Sequence, residues 1–304
     1  MRQYLVVLTL AAALALAACG RSSEPTATPA PPPTRPPTAT AAPQATATPA
    51  PTATAAATAE PEPVAEVPAA IGAITVGVNA GFEPFVFIDQ NGDMVGFDID
   101  LMNALSRAGG FELGFVDAPF DTIFDQLAAG EFDAAISAIT ITGARKEKVD
   151  FTAPYFESGQ ASVAYFNAGQ GLAVRADDLA IAGRDSLTAD VKVGVKQGTT
   201  GAEFVSTETP AQATAYPESD AALQALSAGE VDAVVVDIPV IVNFIKANPG
   251  AGIKIVGGPI TEEQYGIAVR KDKPEVLAAL DAALEQVRAD GSYDVIFQRW
   301  FGAP

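Results

Sequence analysis

The chain has 304 residues, 49% of them hydrophobic, a formal net charge of -19 and no histidine. That length allows two domains with real cores. The charge argues against a nucleic-acid partner, and the missing histidine removes Ser-His-Asp and Cys-His nucleophiles and the usual His-bearing zinc sites. Residues 1–70 carry three basic and four acidic groups, so 15 basic and 33 acidic residues, a charge of -18, fall on the remainder. The single cysteine, Cys19, excludes an intramolecular disulfide.

Residues 1–19 read as an export signal. Arg2 supplies the positive start, and Leu5 to Ala18 is an apolar run of 14 residues, shorter than the ~20 needed to span a bilayer. The run ends in Leu16-Ala17-Ala18-Cys19 before Gly20, the pattern of a bacterial lipobox, in which Cys19 becomes the lipidated terminus. Residues 20–70 hold 13 of the 23 prolines among Ala and Thr. Such a stretch cannot build a packed core and is expected to be an extended, disordered tether.

The folded part is expected to begin near Ile71. Ile74–Asn79 predicts a strand that ends at a loop with Phe82, Pro84 and Phe85, and Phe85–Ile88 a second. Asp89-Gln90-Asn91-Gly92-Asp93 predicts a hairpin turn; it lacks the acid spacing of a calcium loop. A helix follows over Ile99–Ala108 with Asp98 as N-cap, then a strand over Phe111–Val116 and a helix to Ala129 with Asp121 as N-cap. Gly130 stops that helix. Phe132–Ile136 is apolar without alternation, as in a sheet covered on both faces. Its end delivers Ser137, Ala138, Thr140, Thr142 and Arg145, beyond the C-terminal edge of a strand, where open α/β sheets bind ligands.

Phe156–Phe166 is expected to carry the chain out of the first domain. Residues 167–190 read as loop or short helix. Val191–Lys196 predicts a strand, and Gln197-Gly198-Thr199-Thr200-Gly201 a turn that opens a helix and offers N–H groups to a carboxylate. Strands follow at Ala213–Tyr216, Ala233–Val236 and Ile253–Val256, with helices at Ser219–Ala228 and Ile238–Ala247. Tyr265–Val269 is expected to return to the first domain, and helices at Pro274–Ala289 and Tyr293–Trp300 to close the chain. The pattern L-x-x-G-E-x-D-A occurs twice, at an offset of 99: Gly130 aligns with Gly229 and Asp133 with Asp232. One copy leads to a cation, Arg145, and the other to an anion, Asp237. Facing each other across a cleft, the two would suit a zwitterion; on separate βα turns they would be solvated surface charges.

The stretches VGFDIDLMNAL (95–105), FDAAISAITITGARKEKVDFTAPYFESG (132–159), VKVGVKQGTTGAEF (191–204), VDAVVVDIP (231–239), QYGIAV (264–269) and GSYDVIFQRWFG (291–302) resemble, in this order, the polar amino acid substrate-binding proteins of bacterial ABC importers, solute-binding family 3. The resemblance implies a periplasmic binding protein-like α/β fold: two α/β lobes joined by a two-strand hinge. Residues 71–159 and 265–304 would form lobe 1, and 160–264 lobe 2. It implies that Arg145 takes a ligand α-carboxylate, with donors from Thr140 and Thr199, and that Asp237 takes the α-ammonium. Phe82 and Phe120 would sandwich the aliphatic part. Asn79, Ser137, Lys196 and Gln197 would discriminate side chains, and Ala138, a glycine in some relatives, would narrow the pocket. Asn79 stands where relatives for cationic amino acids have an acid. Val236 stands where glutamine-binding relatives have a histidine, while Lys196 is kept as in those relatives. The expectation is an uncharged polar amino acid such as glutamine.

The chain is thus expected to be a monomeric, extracytoplasmic lipoprotein anchored through Cys19, with transporter permease subunits as partners and neither cofactor, metal nor catalysis. Two other readings remain at this stage. One is a dehydratase of the same fold using Glu83 or Glu157 as general acid; the other is a tethered amino-acid sensor with a separate signalling partner.

Overall fold

A computed structural model describes residues 71–157 and 168–302, all within the unit Pro61–Pro304. The export signal, Cys19, the tether and most of the strand expected over Phe156–Phe166 lie outside the described residues. Two five-stranded sheets share one plan. In the first, strand Ala73–Val78 lies between Glu112–Asp117 and Ala134–Ala135, all parallel, and Ala268–Val269 and Asp150–Phe151 complete the order. In the second, Lys192–Lys196 lies between Gln212–Tyr216 and Ala233–Asp237, again parallel, followed by Gln170–Arg175 and Ile253–Val256. In both sheets the fourth strand pairs antiparallel with the third. Phe156–Glu157 pairs antiparallel with Gln264–Tyr265 between these two lobes.

The internal repeat has a structural reason. Gly130 and Gly229 each end a helix in the left-handed conformation, at φ 86° and 77°, where a side chain would be strained. Three residues on, Asp133 Oδ2 accepts from the backbone N–H of Thr75 at 3.0 Å, and Asp232 Oδ2 from that of Lys192 at 2.9 Å. Each acid thus fixes the register of its strand against the first strand of its sheet.

Helix Phe97–Gly109 buries Phe97, Ile99, Leu101, Met102 and Leu105 against the first sheet. Phe97, Phe85, Phe156, Phe297 and Phe301 form one aromatic cluster with ring centroids 5.1–6.3 Å apart. Burying each such ring stabilises by roughly 1.5–3 kcal/mol. Trp300 Nε1 donates to Asp100 Oδ2 at 2.8 Å, so the C-terminal helix Ser292–Phe301 is fastened to helix Phe97–Gly109. The Asp89–Asp93 turn is a hairpin turn: Asp89 Oδ1 accepts from the N–H groups of Asn91 and Asp93, each at 2.9 Å.

Four local expectations are corrected. Residues 170–175 form a fully paired strand of the second sheet and not a loop or helix. The strand expected over Phe132–Ile136 is regular only at Ala134–Ala135. Neither Asp98 nor Asp121 is an N-cap; the caps are Gly96 and Thr122, neither with a side-chain bond. Gly96 holds that place because a Cβ there would come within 1.9 Å of the Phe85 carbonyl oxygen. Asp98, fully buried, turns inward, and its Oδ2 accepts from the Ala138 N–H at 2.7 Å.

Burial pushes the Asp98 carboxyl up to about 7, against the opposing pull of the Ala138 N–H and the Tyr155 hydroxyl. The folded state therefore holds this proton in a pH range, from about 4 to about 7, where the unfolded chain has lost it. Stability from this group falls as pH rises through that window and is level above it. Asp98→Asn keeps an acceptor without the charge, so its stability relative to wild type should rise by about 2.5 kcal/mol between pH 5 and pH 8. Urea unfolding at the two pH values measures this; an unchanged difference would show that Asp98 is ionised throughout.

Candidate functional site

The C-terminal ends of the parallel strands of both sheets converge on one cavity. Phe82, Phe120, Ser137, Ala138, Thr140 and Arg145 line it from the first lobe, and Lys196, Thr199, Thr200 and Asp237 from the second. The structure therefore brings together nine of the eleven residues singled out in the sequence. The other two, Asn79 and Gln197, line an adjoining wider pocket of about 610 Å³ with Asp117, Asp121 and Glu218.

The first lobe presents its part on the loop after Ala134–Ala135. Ala138 has φ 47°, a left-handed conformation unusual for a residue with a Cβ. Its N–H is held by Asp98, which orients the loop from behind. The Ser137 hydroxyl sits against the backbone of Asn79, accepting from its N–H at 3.3 Å. Thr142 caps helix Gly143–Lys148 by accepting from the Arg145 N–H at 3.2 Å. The half-buried Arg145 guanidinium donates through Nη1 to the Thr140 carbonyl at 2.7 Å and through Nη2 to the Gly198 carbonyl of the second lobe at 3.4 Å. It stacks over Phe124 and Phe120, 4.9 and 5.5 Å from the ring centroids. Burial pulls its pKa down, and Glu263 and Asp237 oppose that pull.

The second lobe presents the end of Ala233–Asp237 and the opening turn of helix Thr200–Glu208. Asp237, 5% exposed, accepts a hydrogen bond from the Tyr265 hydroxyl. Burial first, and the neighbouring Glu263 second, push its carboxyl up to about 7. The hydroxyl of Thr199 is spent on local structure: it accepts from Ala202 N–H at 3.2 Å and donates to the Lys196 carbonyl at 2.8 Å. Thr200, which the sequence reading passed over, accepts at its Oγ1 from Gln170 Nε2 at 3.2 Å.

Glu263 was also missed. It is 5% exposed and accepts from the Thr140 hydroxyl at 2.7 Å and from Gln170 Nε2 at 3.3 Å. Of the two buried carboxylates, Asp237 lines the cavity, and Glu263 is held through Thr140, which Arg145 also contacts. No motif flags Glu263, because its partners lie 93 and 123 residues away in sequence. Glu83 and Glu157, the acids considered for a dehydratase, line neither space.

At the far end lies Lys196, 1% exposed, with its ammonium 5.0 Å from the centre of the Phe82 ring and 5.6 Å from that of Phe120. Its Nζ donates to Asn79 Oδ1 of the first lobe, and to Glu218 Oε2 at 2.8 Å. Burial pulls its pKa down, and Glu218 opposes the shift. Arg145, Asp237 and Lys196 thus line one small cavity, with the Glu263 carboxylate beside it. This geometry fits a zwitterion with a polar side chain. Among the described residues no cluster of acids, Cys or His could hold a metal ion, and no helix is long and apolar enough to cross a membrane.

The family model of the bacterial extracellular solute-binding proteins, family 3, matches residues 74–303. A probable histidine-binding protein of Neisseria gonorrhoeae is 38% identical over 231 residues, 74% of this chain and 82% of that protein. The ABC transporter arginine-binding protein 1 of Escherichia coli (strain K12) is 33% identical over 239 residues, 75% of this chain and 90% of that protein. An ancestral arginine-binding protein solved with arginine superposes with a TM-score of 0.70 at 40% identity, and one solved with glutamine with 0.69 at 39%; each match covers 76% of this chain and 99% of the other.

Proposed function

The chain belongs to the bacterial extracellular solute-binding proteins, family 3, and on that premise we propose that it is the substrate-binding lipoprotein of an ABC importer for an uncharged polar L-amino acid such as glutamine. The α-carboxylate pairs with Arg145, whose planar fork suits it. Asp237 accepts the α-ammonium, and the Phe82 and Phe120 rings flank the aliphatic stem. The observation that carries the reading is the convergence of Arg145, Asp237 and Lys196 on one cavity between the two lobes. Lys196 brings a hydrogen-bond donor to the side-chain end, which suits a polar side chain with an acceptor oxygen.

Closure of the lobes commits the ligand. Arg145 and Asn79 of the first lobe reach Gly198, Lys196 and Glu218 of the second, so these polar contacts form only when the lobes meet. Residues 1–19 direct export, and lipidated Cys19 holds the chain at the outer face of the membrane through the 20–70 tether, where permease subunits receive the ligand. Cell fractionation tests the anchor: Cys19→Ala should move the protein from the membrane to the soluble fraction.

Calorimetric titration of the ligand-stripped protein against the twenty L-amino acids tests the binding role. One-to-one binding of a neutral polar amino acid is expected. Silence across the set would overturn the reading.

A further inference from the structure

Resting on the amino-acid reading above, we propose that Glu218 makes the side-chain end of the cleft selective for a carboxamide over a carboxylate. Glu218 precedes helix Ser219–Ala228 in the second lobe, and its side chain is 39% exposed. It is nevertheless held in place. Oε2 accepts from Lys196 Nζ at 2.8 Å, and Oε1 accepts from Asn79 Nδ2 at 3.4 Å. Its carboxylate also fills the space a Cβ would take on Gly81 of the first lobe, only 2.1 Å from Oε2.

A count of donors and acceptors shows what this corner can receive. An ammonium has three hydrogens; that of Lys196 gives one to Asn79 Oδ1 and one to Glu218, which leaves one for a ligand acceptor. The Asn79 amide has two hydrogens, one directed to the Ala118 carbonyl at 3.2 Å and one to Glu218. Asn79 therefore has no donor left for the ligand. The Glu218 carboxylate has about four lone-pair sites and uses two, so it remains an acceptor for a ligand N–H. The corner thus sets one Lys196 donor beside the remaining Glu218 acceptor sites, with the Gln197 amide lining the same pocket.

A carboxamide presents one acceptor oxygen and an NH₂, which matches both. A carboxylate can take the Lys196 hydrogen, but its second oxygen then meets Glu218, with Asp117 and Asp121 lining the same pocket. Glu218 therefore guards against the acid that is isosteric with the amide.

The test is titration of the full-length chain, refolded to strip bound ligand, with L-glutamine, L-glutamate and L-arginine at pH 7.5. Wild type should prefer glutamine over glutamate on the order of a hundredfold or more. Glu218→Gln should cut that preference at least tenfold. Gly81→Ala keeps the charge but pushes the carboxylate out of its place, and should shift the preference in the same direction. An unchanged ratio in Glu218→Gln would overturn the proposal. Tight arginine binding by wild type without glutamine binding would also overturn it, while leaving the amino-acid reading intact. Wild type that binds none of the three would overturn this inference, and only silence across the twenty L-amino acids would remove the amino-acid reading with it.

Discussion

Arg145→Ala should weaken amino-acid binding by ~2–5 kcal/mol, roughly thirtyfold to several-thousandfold. The size follows from what would be left behind. The ligand carboxylate enters a tight space lined by buried side chains of both lobes, where little water can replace a lost donor. Two buried acids, Asp237 and Glu263, stand nearby, and Arg145 offsets their field in the intact protein. Removing the guanidinium leaves the carboxylate unpaired and facing like charges, which costs more than the loss of one hydrogen bond in water. It also deletes the Nη2 contact to Gly198, one of the bonds that join the lobes. Arg145→Lys keeps the charge but not the fork and should recover only part of the affinity. Near-equal binding by wild type and Arg145→Ala in calorimetry would remove Arg145 from the site.

Much of this site could be read from sequence because it is built twice. The pattern around Gly130 and Gly229 fixes two helix ends and two strand registers, and strand ends in open α/β sheets are where ligands bind. Arg145 and Asp237 were visible as the residues those strands deliver. What could not be read has two physical causes. Gln170–Arg175 is buried in mid-sheet, five of its six residues fully, so it lacks the alternation that marks a half-exposed strand. A short GLAV run fits a buried helix or a loop as well. Asp98 precedes an apolar helical pattern, which is the signature of a cap; the long-range bond to Ala138 outweighs that local preference. Glu218, Glu263 and Tyr265 belong to the second cause. Each acts through partners on another lobe or sheet, and neither spacing nor periodicity reports such contacts.

Asp237→Asn should lower affinity at pH 8 by ~2–5 kcal/mol and flatten the pH dependence of binding. In the unliganded protein, burial and Glu263 hold the Asp237 carboxyl at about 7, so half of the molecules carry its proton near neutrality. A protonated carboxyl cannot pair with an ammonium, and the ligand must first displace the proton. Affinity should therefore rise about tenfold per pH unit up to about 7 and level off above it. The groups facing Asp237 could blur this slope. Arg145 stays charged throughout. The Tyr265 hydroxyl has one hydrogen, which it can give to Asp237 or to the Ala168 carbonyl at 3.0 Å, so it accommodates either form. In Asp237→Asn the slope should disappear. Titrations from pH 5 to pH 8 in two buffers of different ionisation enthalpy would count the proton released on binding: close to one at pH 6 for wild type, and none for Asp237→Asn. A wild-type affinity that is flat from pH 5 to pH 8 would mean that Asp237 is ionised before the ligand arrives.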